Sequence, residues 1–216
     1  MVNVLSESNS LLNQFIAEVR DVEIQQDSMR FRENLVRLGE IFAYEISKTL
    51  EYKNKEVSTS LGISNVPTLV EYPVLAGILR AALPFQKGFL NFFDKSENAF
   101  LFPYRKSHQN HSFTVQVEYS SAPGIAGKTL ILCDTMIATG SSMVLCYKEL
   151  LSKGKPNHTH IATIVASLEG IDYLKKQLPR EDVTIWAGAI DEELTAQSYI
   201  VPGLGDAGDL AFGKKI

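Results

Sequence analysis

The chain has 216 residues, 45% hydrophobic and 21% charged, with a formal charge of −4 and an isoelectric point near 5.6. These values fit a globular chain able to bury a substantial core as one domain over 1–216, and they exclude a disordered chain. The acidic balance gives no overall attraction to nucleic-acid phosphates.

The opening MVNVLSESNSLLNQF lacks a basic stretch followed by an apolar one. No apolar run approaches the roughly 18 residues that suggest a membrane span, so a cytoplasmic protein without membrane attachment is expected. Ser10 to Val19 reads as a short helix. From Asp27 or Ser28, both suited to N-capping, apolar residues recur at Phe31, Leu35, Leu38, Ile41, Phe42, Ile46 and Leu50, the three-and-four spacing of an amphipathic helix. The N-terminal helices, about 9–50, are expected to cap a sheet or to pair with another subunit.

Beyond Pro67 short apolar strands alternate with helical segments. Pro73 to Leu79 precedes ALPFQKGFLNFF, Lys128 to Asp134 precedes GSSMVLCYKELLSKG, His160 to Ser167 precedes LEGIDYLKKQL, and Val183 to Ile190 follows. Ile, Leu and Val runs joined by helices predict an α/β fold, a mostly parallel sheet flanked by helices. Phe100 to Lys106 and His111 to Ser120 alternate around a polar KSHQN, the pattern of a projecting β-hairpin flap. Cys133 and Cys146 lack ligand or disulfide spacing and read as reduced core thiols. His158 and His160 share one face of a strand and read as a surface edge; His108 and His111 read as loop residues. No catalytic histidine and no protein metal-ligand set is assigned.

The stretch ILCDTMIATGSSM places one acid, Asp134, at the apparent end of a strand, where open α/β sheets bind ligands. Thr139, Gly140, Ser141 and Ser142 follow, offering backbone N–H groups and hydroxyls at a helix start, which suits a phosphate. A ligand meeting both ends carries hydroxyls on one side and phosphate on the other, as a ribose 5-phosphate does. An ordinary strand-to-helix turn would look the same, and neither a Walker loop nor G-x-G-x-x-G is present. DTMIATGSS resembles the phosphoribosyl diphosphate (PRPP) loop of type I phosphoribosyltransferases, in the D-P-M-L-A-T-G-G-S form of uracil phosphoribosyltransferases. It differs at Thr135, Ile137 and Ser141. The resemblance makes Asp134, Thr135, Met136, Ile137, Ala138, Thr139, Gly140, Ser141 and Ser142 the PRPP-binding stretch.

SYIVPGLGDAGDLAFG, Ser198 to Gly213, holds four glycines and Pro202 and so reads as a sharply turning loop, neither regular helix nor central strand. Such a loop can present its own N–H and C=O groups. Uracil shows acceptor, donor, acceptor along O2, N3–H and O4, whereas cytosine would leave buried groups unpaired. YIVPGLGDAGD is similar to the uracil-binding hood of the same family, with Leu210 where arginine is usual. The resemblance implies backbone contacts to uracil at Ile200, Gly205 and Ala207, with Asp206 facing PRPP beside the base. A diphosphate needs guanidinium donors, and Arg80 and Arg105 follow apolar segments. Both match family positions, although Ala82, Pro84 and Lys106 depart from its pattern.

The resemblance therefore implies the type I phosphoribosyltransferase fold with a β-hairpin flap and a C-terminal hood. The activity it implies is that of a uracil phosphoribosyltransferase of pyrimidine salvage, forming UMP and diphosphate from uracil and PRPP. Asp134, Arg80, Arg105 and Asp206 are the expected catalytic set, with Mg2+ held mainly through PRPP and water. It also brings in a homodimer or higher homo-oligomer and GTP as an effector, as in some bacterial relatives. A phosphoribosyltransferase-fold regulator that binds nucleic acid and senses PRPP is the alternative; the acidic composition and the complete hood favour the enzyme.

Overall fold

The computed structural model describes residues 1–107 and 113–214, with the side chains of residues 105–107 and 113–116 excepted. In chain order the elements are β1 (Val2–Val4), α1 (Leu11–Arg20), α2 (Ser28–Ser47), β2 (Tyr52–Thr59), β3 (Gly62–Leu69), β4 (Val74–Ile78), α3 (Ala82–Phe92), β5 (Asn98–Ser107) and β6 (Phe113–Ser121). Then follow β7 (Thr129–Ile137), α4 (Ser141–Leu151), β8 (His158–Ser167), α5 (Leu168–Gln177), β9 (Val183–Asp191), β10 (Glu193–Leu194), β11 (Ile200–Val201) and α6 (Ala207–Phe212).

Seven strands form one sheet in the order β1-β9-β8-β7-β4-β5-β6. All neighbours are parallel except β5 and β6. Alternation along the strands serves two cores: Leu75, Ile131, Cys133 and Ala162 pack beneath α1, α2, α3 and the C-terminal segment, while Val74, Leu130, Leu132 and Ile161 pack beneath α4 and α5. Both faces are therefore covered, which explains why the strands read as continuous apolar runs.

Three expectations change, and one element emerges that the sequence did not announce. The amphipathic helix ends at Ser47, short of Leu50, and is capped by Asp27, whose side chain accepts the N–H groups of Met29 and Arg30. The β5–β6 hairpin does not simply project: residues 98–101 of β5 pair with β4, because Ala99 and Leu101 are needed in the core. Its tip, with His108 and His111, lies outside the described residues. An exposed arm, β2 paired antiparallel with β3, occupies a stretch that carries no core pattern to mark it. Finally, His160 is no surface edge: β9 and β1 extend the sheet past β8, leaving it 4% exposed. Its Nδ1 accepts the Trp186 indole N–H at 3.1 Å, and burial pushes the imidazole down to about 3.

The helical layer is tightly registered. Glu18 accepts a forked bond from Arg30 at 3.0 and 2.9 Å and a third from Asn34 at 2.7 Å, tying α1 to α2. The Arg30 hydrogen bond chiefly pulls its carboxyl down to about 2. Between α2 and α3 the backbones nearly touch: a Cβ on Gly88 would overlap the Val36 carbonyl and stand 2.7 Å from Gly39 Cα. Gly88→Ala is thus expected to destabilise the protein by roughly 3 kcal/mol, since backbone overlap outweighs the ~1 kcal/mol helix-propensity gain. A lowered urea midpoint with unchanged m-value would show this; an unchanged midpoint would contradict the packing.

Candidate active site

A cavity of about 370 Å3 opens beyond the carboxyl ends of the central strands. Three segments far apart in sequence line it: Arg80 and Ala81 after β4, the stretch from Asp134 to Gly140 at the end of β7 and in the turn after it, with Ser142 of α4, and Ile200, Gly205, Asp206 and Gly208 of the C-terminal segment. The volume suits a small-molecule ligand.

Asp134 is not the last strand residue as expected; β7 runs on to Ile137, because pairing with β8 continues through Met136 to Ile137. The carboxylate still reaches the cavity. Its Oδ1 accepts the Thr135 N–H at 2.7 Å, yet burial dominates and pushes the carboxyl up to about 7. Burial likewise pushes the Cys146 thiol up to about 12 and Cys133 far above its ordinary value. Both cysteines are unpaired and buried.

Gly140 supplies the turn into α4, with φ of +78°. The N-terminus of α4 thus faces the cavity rim with the hydroxyls of Thr139 and Ser141, 2.9 Å apart, although Ser141 itself does not line the cavity. Anions are favoured at such a terminus. The stretch is braced from behind by residues the sequence reading missed. Ser167 Oγ donates to the Ala138 carbonyl at 2.6 Å while accepting the Gly170 N–H at 2.8 Å. A Cβ on Gly170 would overlap the Ala138 carbonyl. The signal was legible in S-L-E-G, a serine N-cap at a strand end.

The C-terminal loop is built on the β10–β11 pair and on Gly203 and Gly205, with φ of +59° and +87°. The loop was expected to hold no regular helix, yet residues 207–212 form α6. Asp206 makes this helix viable by accepting the Asp209 N–H at 3.0 Å as its N-cap. Ala207 is fully buried behind the wall and does not line the cavity, unlike Ile200 and Gly205. Gln197, Ser198 and Tyr199 also line it; Ser198 and Tyr199 belong to the loop already singled out in the sequence, whereas Gln197 carried no sequence signal.

Arg80 reaches the same place. Its Nη2 donates to Asp209 Oδ1 at 3.1 Å and to the Gly213 carbonyl at 3.2 Å, and its Nε has no hydrogen-bond partner among the described residues. Arg105 lies in β5, opposite Val115, and its side chain falls outside the described residues.

A family model described as uracil phosphoribosyltransferase matches residues 6–214. A protein of Porphyromonas gingivalis named uracil phosphoribosyltransferase is 51% identical over 212 residues, 98% of each chain. The chain belongs to the uracil phosphoribosyltransferase family. Among solved structures, the AQ2163 protein of Aquifex aeolicus superposes over 100% of both chains with a TM-score of 0.86 at 29% identity. A hypoxanthine phosphoribosyltransferase from Staphylococcus aureus covers 76% of each chain at 15% identity and a TM-score of 0.51, a likeness of fold alone.

Leu210, which the resemblance marked as a departure, is half-buried and packs its apolar side chain against the core on this side of the sheet. For Mg2+, the wall offers the hard oxygen donors Asp134 and Asp206. No cluster of three or more His, Cys, Asp or Glu occurs among the described residues. One or two carboxylates plus substrate phosphates is the usual Mg2+ environment, so this donor set fits. No helix among the described residues is long and apolar enough to cross a membrane.

Proposed function

We propose that the chain transfers the 5-phosphoribosyl group of PRPP to N1 of uracil, giving UMP and diphosphate. The observation that carries this reading is the convergence of Arg80, the Asp134–Ser142 stretch and the glycine-rich loop on one cavity. The C1–O bond to diphosphate breaks as the C1–N1 bond forms, and the N1 proton leaves to solvent. Thr139 to Ser142 bind the 5-phosphate at the α4 terminus, and Asp134 accepts hydrogen bonds from the ribose hydroxyls. Arg80, with Arg105, binds the departing diphosphate. Ile200 and Gly205 hold uracil by backbone groups, while Ala207, buried behind the wall in the first turn of α6, supports them without touching the base. Orientation of N1 toward the sugar then supplies much of the acceleration. Asp134 and Asp206 would hold Mg2+ through its waters, where it supplies charge neutralisation on the diphosphate oxygens.

The whole chain serves as one catalytic domain in this reading. The exposed Val57, Ile63 and Val66 on the β2–β3 arm support a homo-oligomer, and sedimentation of the purified chain tests that. GTP as an effector rests on the resemblance alone and is tested by adding it to the assay. Two buried unpaired thiols suit a reducing, cytoplasmic setting.

The deciding experiment incubates the purified chain with uracil, PRPP and Mg2+ and identifies the product by chromatography. UMP and diphosphate in equal amounts are expected. PRPP binding without UMP, together with retention of RNA or DNA at low salt, would instead favour a PRPP-sensing regulator.

A further inference from the structure

We propose that Arg20 and Asp191 are positioning residues for the uracil-binding loop and, through its backbone, set the affinity for the base. The inference rests on the cavity reading above, since neither residue lines the cavity. Arg20 closes α1 with its side chain 21% exposed, and Asp191 closes β9 at 8%. The guanidinium meets both carboxylate oxygens at 2.8 Å, and its Nη1 also donates to the Gly203 carbonyl at 2.8 Å. The carboxylate in turn accepts the Gly203 N–H at 2.9 Å. One ion pair therefore holds the donor and the acceptor of a single residue in the loop.

Gly203 stands directly behind the base contact. With φ of +59°, it packs so closely on Ile200 that a Cβ would overlap the Ile200 carbonyl and stand 2.9 Å from its carbon. Movement at Gly203 is thus transmitted to the backbone of Ile200, a residue of the cavity wall. The far end of the segment is tied in the same way, Arg32 of α2 donating to the Ala211 carbonyl at 2.7 Å. Because α1 is locked to α2 through Glu18 and Arg30, the helical layer acts as a frame for the loop.

This matters because backbone groups discriminate uracil only if their positions are held to about 0.5 Å by surrounding structure. A solvent-exposed ion pair would supply little of that. A forked, largely buried pair bonded to the backbone fixes geometry even where its net stabilisation is small.

The test uses full-length Arg20→Gln, Arg20→Lys and Asp191→Asn. Initial rates are measured with uracil varied at saturating PRPP and the reverse, beside hydrogen exchange of backbone amides 200–208. Arg20→Gln and Asp191→Asn are expected to raise KM for uracil about tenfold or more while KM for PRPP stays within about twofold, because removing one partner strands the other. Arg20→Lys, which keeps the charge but loses the fork, should fall between. Exchange should quicken at 200–208 and not in β7 or β8. Unchanged constants, equal rises in both KM values, or loss of fold in all three variants would overturn the proposal, the last by making the pair a folding contact only. If the wild-type chain formed no UMP, the activity reading would fail, and the exchange comparison would still decide whether the pair holds the loop.

Discussion

Asp134→Asn is expected to lower kcat/KM for UMP formation about a thousandfold, a loss of roughly 4 kcal/mol of transition-state stabilisation, while leaving the fold intact. The carboxylate is the one acid of its loop and faces the cavity, and Asn keeps its shape but not its charge. Its pH behaviour separates this role from a structural one. Burial lifts the folded carboxyl to about 7, against about 3.9 in the unfolded chain. Between those values the folded protein retains a proton that the unfolded chain has released, so Asp134 lowers stability as pH rises through the window. The thermal midpoint of the Asn variant should therefore gain on wild type from about pH 4 to about pH 7 and then level off. Activity runs the opposite way, because the ionised form is the better acceptor for ribose hydroxyls. The wild-type kcat/KM for PRPP should rise through about pH 7, and that limb should flatten in the variant. Full activity in Asp134→Asn would remove this residue from the mechanism.

Arg80→Ala is expected to reduce kcat/KM about a hundredfold, with most of the loss tied to PRPP, since a guanidinium binding two diphosphate oxygens contributes in ground and transition states. Arg80→Lys should recover only part, keeping charge without the fork. The ion pair with Asp209 offers a competing account, in which Arg80 merely fastens the C-terminal loop. Asp209→Asn discriminates: it should leave the PRPP constants within a few-fold of wild type, whereas equal losses in the two variants would favour the fastening role. The Nε without a partner among the described residues supports the ligand-binding account, because a buried donor left unpaired is costly until something accepts from it.

The parallel sheet was legible because Ile131 to Cys133 and Ile161 to Val165 need burial on both faces, which leaves a run of apolar residues in the sequence. The Asp134–Ser142 turn and the glycine-rich loop stood out in the sequence because their backbone demands restrict residue choice, as at Gly140 and Gly203. What stayed hidden depends on pairing across the chain. Ser167 looks like any helix cap until its hydroxyl is seen on the Ala138 carbonyl. Arg20 and Asp191, 171 residues apart, have no local pattern linking them. His160 read as an edge residue because nothing in its own segment reveals that β9 and β1 extend the sheet beyond it. The β2–β3 arm escaped because exposed strands need no apolar alternation.

The most direct test of the account is a comparison of initial rates of diphosphate release from PRPP and Mg2+ with uracil, cytosine, orotate and hypoxanthine at equal concentration. Backbone recognition of O2, N3–H and O4 predicts turnover with uracil and, with cytosine, rates lower by a factor on the order of 10^3 or more, because the 4-amino group and bare N3 leave buried groups unpaired. Comparable rates with cytosine, or turnover with hypoxanthine in place of uracil, would contradict it.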